Sequence, residues 1–393
     1  MGTKAGGGFS SGAALGAALV TAGAALAVLA GCERDTAGAA AGDAAPATPA
    51  PATPAAVTGE AAAPVECTAD GELRYVCGPA NAEDIVPLGG GDWLIASGMS
   101  PLQGPPVPGK LYLVNRAAKS YEELFPGVAV KFQVDYGVFG DCPGPIDTQR
   151  FSAHGLALRE RAAGKYRLYM TSHGGREAIE AFDVDATGAK PDIAWVGCVV
   201  LPEHTFANSV AMLADGGFVA TKFFDPADAD GFAKIGRGEV TGLVYEWHPG
   251  GEVTAVPGTE LSGPNGIELS ADERYLWVAA FGTREVVRFD RRASPLAKTA
   301  VAVDVSPDNL RWGNDGKLYT AGANYVPPAE CAAPPCAIGW SVAAIDPSTL
   351  QATRVAGADQ NAALQGASTA LPVENEIWIG TYNGDRIGYL PKQ

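Results

Sequence analysis

From about residue 65 onward, short apolar runs alternate with turn signals, and one pattern recurs six times. A polar residue precedes a short apolar strand. A second strand follows, rich in aromatic and β-branched residues, and then a third. The second strands are the clearest: Asp92-Trp93-Leu94-Ile95-Ala96, Arg167-Leu168-Tyr169-Met170, Gly217-Phe218-Val219-Ala220, Tyr275-Leu276-Trp277-Val278, Lys317-Leu318-Tyr319-Thr320 and Glu376-Ile377-Trp378-Ile379. Gly89-Gly90-Gly91, Asp215-Gly216 and Asp315-Gly316 supply turns ahead of three of them. No segment sustains a helical period. Short strands in a repeat of roughly 40–60 residues predict an all-β fold, a six-bladed β-propeller. An irregular β-sandwich or a pair of barrels is the alternative. The sixth unit stops after its third strand at Tyr389, and Glu72-Leu73-Arg74-Tyr75-Val76, ahead of the first unit, is the candidate to complete it and close the ring.

Composition narrows the picture. The 393 residues are 47% hydrophobic and 18% charged, enough apolar material for a core. The 50 Gly and 29 Pro follow no Gly-X-Y period and read as turns. A net charge of −16 repels polyanions, which argues against nucleic-acid binding and favours cations or neutral ligands.

The first 64 residues do not share the pattern. Lys4 precedes an uncharged stretch whose apolar part runs from Ala13 to Ala30 and ends in Leu29-Ala30-Gly31-Cys32. That ending resembles a bacterial lipobox, which implies a signal peptide over 1–31 and lipidation of Cys32. A transmembrane anchor is the competing reading. Residues 32–64 are dominated by Ala, Pro and Thr and cannot bury enough apolar surface to order themselves, so a tether is expected. The domain at 65–393 would then be lipid-anchored in a bacterial cell envelope, on the periplasmic face or at the outer membrane. Glu33 in place of Asp after the cysteine favours the outer membrane under enteric-type sorting.

Six further cysteines follow: Cys67, Cys77, Cys142, Cys198, Cys331 and Cys336. An even number in an exported domain suggests disulfides. Cys142 and Cys198 hold similar places in consecutive repeats, Cys331 and Cys336 flank a small loop, and Cys67 and Cys77 flank a turn at Asp70-Gly71. A zinc site is disfavoured because no Cys-x2-Cys pair occurs.

The chemistry sits where the first strands begin. The six starts are Glu83-Asp84-Ile85, His154-Gly155-Leu156, Asn208-Ser209-Val210, Asn265-Gly266-Ile267, Asp308-Asn309-Leu310 and Gly366-Ala367-Ser368. In a propeller the first strands line the central channel, so these side chains would converge at one end of it. Glu83, Asn208, Asn265, Asp308 and Asn309 make an all-oxygen set with two negative charges, which suits Ca²⁺ better than Zn²⁺. Asn and Asp are also ordinary turn residues before strands. Their recurrence from repeat to repeat is what points to a site.

Residues 78–390 resemble the paraoxonase and strictosidine-synthase-like group of six-bladed propellers, close to the gluconolactonase/regucalcin family. The resemblance rests on Ala82-Glu83-Asp84-Ile85, Ile95-Ala96-Ser97-Gly98, Ala153-His154-Gly155-Leu156, Ala207-Asn208-Ser209-Val210, Pro264-Asn265-Gly266-Ile267 and Pro307-Asp308-Asn309-Leu310. It implies that Glu83, Asn208, Asn265, Asp308 and Asn309 hold a catalytic calcium. It also implies that His154 acts in hydrolysis with a partner, His173 of Thr171-Ser172-His173. Asp84 and the carbonyl of Leu156 match a second, structural calcium, but Ser209 stands where that site has an acid. Thr221-Lys222-Phe223-Phe224 departs from the family's acidic-histidine word, which changes the pocket wall. His204 and His248 match nothing and read as surface.

These residues lead to a calcium-dependent hydrolase of lactones or aryl esters acting on a small-molecule substrate. His154 is the expected general base and Asp308 its rival. No Gly-x-Ser-x-Gly elbow is present. The alternatives are a non-catalytic binding propeller stabilised by calcium and a gluconolactonase-like sugar lactonase.

Overall fold

The structure, a computed structural model, describes residues 67–102, 105–127, 129–325, 337–359, 364 and 366–392. The expected signal peptide and tether, with Cys32, and the cysteines Cys331 and Cys336 lie outside these residues. The described residues form six antiparallel sheets of four strands each. Blade 1 contains Ala82–Leu88, Trp93–Gly98, Lys110–Asn115 and Ser120–Phe125. Blades 2 to 5 repeat that order along the chain. Blade 6 takes its fourth strand from the other end: Arg74–Cys77 pairs with Arg386–Pro391, Arg74 opposite Tyr389. The segment ahead of the first repeat therefore does close the ring.

The innermost strands are Ala82–Leu88, Ser152–Ala162, Phe206–Met212, Pro264–Leu269, Leu310–Trp312 and Ala367–Val373. Each packs against the next, and the last against the first. That closed ring is a six-bladed propeller, and it excludes the sandwich and the paired barrels.

The core lies between blades. In Tyr275–Ala280, Leu276, Val278 and Ala280 pack toward blade 3, while Trp277 and Ala279 pack toward blade 5. Both faces of the strand are buried, so its apolar residues run together without alternation. Three of the fourth strands left little trace in the pattern for the opposite reason. Ser120–Phe125, Thr254–Ala255 and Ala297–Ala302 are edge strands with mostly exposed residues. Disulfides join Cys67 to Cys77 and Cys142 to Cys198, with Cα atoms 5.9 and 5.1 Å apart. These are the pairings the spacing suggested, and they leave none of those four thiols for zinc. Among the described residues the helical elements are Gly231–Gly236 and a single turn, Phe281–Thr283. Both contribute to the mouth of the channel.

Candidate active site

The site residues stand where the innermost strands lose their regular register. Between Ala153, opposite Ser172, and Leu156, opposite Met170, the pair His154-Gly155 faces the single residue Thr171. The same irregularity falls at Asn208-Ser209, Asn265-Gly266 and Ser368-Thr369, and in a shorter form at Glu83. Such a bulge re-aims a side chain out of the pleat, here into the channel. Amides displaced from the ladder find hydroxyls on the facing strand: Asp84 donates to Ser97 Oγ at 2.9 Å and Ser209 to Thr221 Oγ1 at 3.0 Å. Gly155 and Gly266 are required because the next innermost strand passes close by. A Cβ on either would lie 2.5 Å from a backbone atom of that strand.

Glu83, His154, Asn208, Asn265 and Asp308 thereby form the floor of one cavity of about 340 Å³. Asn309 lies beneath it and donates to Glu83 Oε1 at 2.6 Å. The Glu83 carbonyl is held in turn by Ser368 Oγ (2.6 Å) and Thr369 Oγ1 (3.0 Å), which is the contribution of the sixth blade.

Four buried oxygens of this set have no hydrogen-bond partner: Glu83 Oε2, Asn208 Oδ1, Asn265 Oδ1 and Asn309 Oδ1. A buried acceptor left unpaired costs about 1–3 kcal/mol, so four in one place require an explanation. All four are hard oxygen donors, and Asp308 adds a second carboxylate beside them. The set fits a divalent cation of the calcium type. Among the described residues no three His, Cys, Asp or Glu converge to hold a metal, so the fit rests on the asparagine amide oxygens that stand beside the two carboxylates.

The charges agree with this. Burial pushes Glu83 well above the ordinary carboxylate range. Asp308 and Asp84 push it further, while the hydrogen bond from Asn309 and the charge of Arg311 pull it back. Burial likewise raises Asp308 well above its ordinary value, against a hydrogen bond from Asn265. With chelator present, the folded protein therefore holds protons that the unfolded chain has released. Between the ordinary values of 3.8 for Asp and 4.5 for Glu and the raised native values, the folded state binds more protons, so stability falls as pH rises through that window. The gap between calcium-loaded and chelated melting temperatures is accordingly expected to widen as pH is raised from about 5 to about 8. Thermal melts with calcium and with EDTA across that range check this, and a gap that narrows contradicts the buried pair.

Beside the carboxylates stands a chain of three groups. His154 Nδ1 lies 2.8 Å from His173 Nε2, and His173 Nδ1 lies 2.9 Å from Glu177 Oε2. Glu177 also accepts the Ala207 amide at 2.6 Å. Phe206 stacks face to face on His173 with centroids 4.3 Å apart. An ionised carboxylate only accepts, so His173 carries its proton on Nδ1 and its Nε2 accepts from His154 Nδ1–H. That fixes the His154 tautomer, with a free lone pair on Nε2, 3.7 Å from Glu83 Oε1 at the cavity floor. Burial lowers the His154 pKa well below its ordinary value, so the ring is neutral at pH 7.

One expected site does not survive. Asp84 and the Leu156 carbonyl do come together, around the side chain of Arg311. The guanidinium of Arg311 donates to both, at 2.9 Å to Leu156 O. A fixed positive charge already occupies the position expected for a second calcium, and Ser209 contributes no acid. His204 and His248 are exposed and paired with surface carboxylates, as expected of surface residues.

The walls above the floor are apolar: Met99, Leu102, Phe206, Phe223, Phe232, Phe281 and Tyr382. Phe232 comes from the short helix, which packs Ile235 on Phe223 and Phe224. Phe232 and Leu102 remain 62% and 59% exposed at the rim.

No protein-family profile matches the chain. A stretch of 119 residues is 27% identical to the Arabidopsis thaliana protein STRICTOSIDINE SYNTHASE-LIKE 13; it spans 30% of this chain and 30% of that protein. Among solved structures, a gluconolactonase from Xanthomonas campestris superposes with a TM-score of 0.50 at 18% identity, covering 82% of this chain and 89% of the other. A luciferin-regenerating enzyme superposes with a TM-score of 0.49 at 13% identity, covering 81% and 94%. At 18% identity the gluconolactonase likeness carries the propeller fold.

Proposed function

We propose that the chain is a calcium-dependent hydrolase of apolar lactones or esters. The observation that carries this reading is the set of four unpartnered buried oxygens beside a neutral, oriented histidine on the floor of a substrate-sized cavity. Glu83, Asn208, Asn265, Asp308 and Asn309 would hold the ion. When bound, Ca²⁺ supplies electrophilic stabilisation to the carbonyl oxygen of the substrate. The chain's own residues do the rest. His154 Nε2 accepts the proton of the attacking water. His173 accepts a hydrogen bond from His154 Nδ1–H, and Glu177 stabilises the positive charge the two rings then share. Phe206 keeps the His173 ring in the plane this requires. The apolar walls exclude water and hold the acyl or leaving-group chain.

Those walls also argue against a sugar lactone, although a gluconolactonase shares the fold. A sugar's hydroxyls would lose water against Phe206, Phe223, Phe232 and Phe281 and find few partners there. With about 1–3 kcal/mol for each hydroxyl left unpaired, an alkyl lactone or aryl ester is expected to exceed gluconolactone in kcat/KM by roughly 100-fold or more. A panel of aryl acetates, alkyl and homoserine lactones and sugar lactones, assayed with and without EDTA, tests the proposal. Preference for sugar lactones would replace it with the sugar-lactonase reading. Calcium binding with no hydrolysis across the panel would leave a non-catalytic binding propeller.

A further inference from the structure

Arg311 is the middle residue of Leu310–Trp312, the innermost strand of blade 5; it is almost wholly buried, and all five of its N–H donors are used. Nε donates to Ile85 O at 3.0 Å. One terminal nitrogen donates to Leu310 O at 2.8 Å and to Glu268 Oε1 at 3.2 Å. The other donates to Asp84 Oδ2 and to Leu156 O at 2.9 Å. The partners lie on the innermost strands of blades 1, 2 and 4 as well as its own. Blade 2 stands opposite blade 5 in the ring, so the side chain spans the channel. Asp84 is fully buried and accepts three further bonds, from Leu156 N (2.7 Å), Ile85 N (2.8 Å) and Thr369 Oγ1 (2.8 Å). Every donor favours its ionised form. An uncompensated buried carboxylate is costly, and Arg311 is the cation that compensates it.

We propose that Arg311 acts as the built-in cation of the lower channel, cross-linking four blades where a metal ion would otherwise be needed, and that removing its charge uncovers a divalent-cation site at Asp84, Glu268 and the Leu156 and Ile85 carbonyls. The guanidinium and a calcium ion solve the same problem. Each places positive charge among carbonyl and carboxylate oxygens from several strands. The guanidinium does so without dependence on ion concentration.

The test is the number of calcium ions bound per chain, measured by calorimetry relative to wild type, together with melting temperatures in EDTA and in calcium. Counting relative to wild type keeps the result independent of the upper site and of any catalytic activity. Arg311→Met is expected to melt on the order of 10 °C below wild type in EDTA, to bind one more ion than wild type, and to regain most of the loss in calcium. No additional ion, or no loss in EDTA, overturns the proposal. Should Arg311→Met fail to fold in either buffer, Arg311→Lys decides. It keeps one charge but cannot reach partners on four blades, so it should fold with a lower melting temperature and take up no extra ion. A lysine variant as stable as wild type, or one that takes up an extra ion, overturns the proposal.

Discussion

His154→Gln is expected to lower turnover by roughly 10²–10⁴-fold while leaving calcium binding unchanged. The two effects separate because imidazole is a poor ligand for a hard cation, and the four unpartnered oxygens come from Glu83, Asn208, Asn265 and Asn309. Glutamine fills similar space and offers a hydrogen-bonding group to His173, so the cavity floor is preserved. Glu177→Gln probes the same chain from its far end. A neutral amide no longer obliges His173 to carry its proton on Nδ1, and the His154 lone pair ceases to be fixed toward the cavity. Turnover should fall by less than in His154→Gln, with KM and calcium stoichiometry retained. Esterase rates beside calcium calorimetry read both variants. A His154→Gln enzyme within a few-fold of wild type would shift the base to Asp308. Loss of calcium in that variant would mean that His154 shapes the ion site instead.

The sequence showed the floor of this site more fully than its walls or supports. Glu83, Asn208, Asn265 and Asp308-Asn309 were legible because each opens an innermost strand, and a closed ring turns equivalent sequence positions into neighbours. The bulges that aim them were not legible, since a bulge is a relation between two strands. Glu177 was missed for a similar reason. It follows Gly174-Gly175 in a short connection with no periodicity, and only the folded blade brings it to His173 and to the amide of Ala207. Arg311 did leave a signal: a charge inside an apolar strand start, Leu310-Arg311-Trp312, must be paired if the strand lines a channel. Its partners on blades 1, 2 and 4 lie far away in sequence, so the second calcium looked possible until they were placed. The pocket walls come from separate sources, with Phe206 on an innermost strand, Phe232 on the short helix and Phe281 in a single turn. No repeat marks them.

Asp308→Asn is expected to move stability in opposite directions depending on the ion. The side chain keeps its shape and an acceptor oxygen but loses its charge. In calcium, the variant gives up one of the two carboxylates of the set, and affinity should fall by on the order of 10²-fold or more, beyond the 10–100-fold typical of losing an outer-shell partner. Hydrolysis should fall with it at any calcium concentration below the new dissociation constant, and recover in part at saturation. In EDTA the sign reverses. Burial and the carboxylates around them push Glu83 and Asp308 well above their ordinary pKa values, so at neutral pH the chelated wild type must either keep them charged at a cost or bind protons to avoid it. Removing Asp308 relieves Glu83 of its largest charge repulsion. The chelated variant should therefore melt above chelated wild type at pH 7–8, and that advantage should shrink as the pH approaches the ordinary carboxylate range and wild type protonates. Melting curves of both proteins in calcium and in EDTA at two pH values supply every comparison. A variant less stable than wild type in both buffers would mean that Asp308 is held by hydrogen bonds whose loss outweighs its charge. A variant that keeps wild-type calcium affinity would remove Asp308 from the ion site altogether.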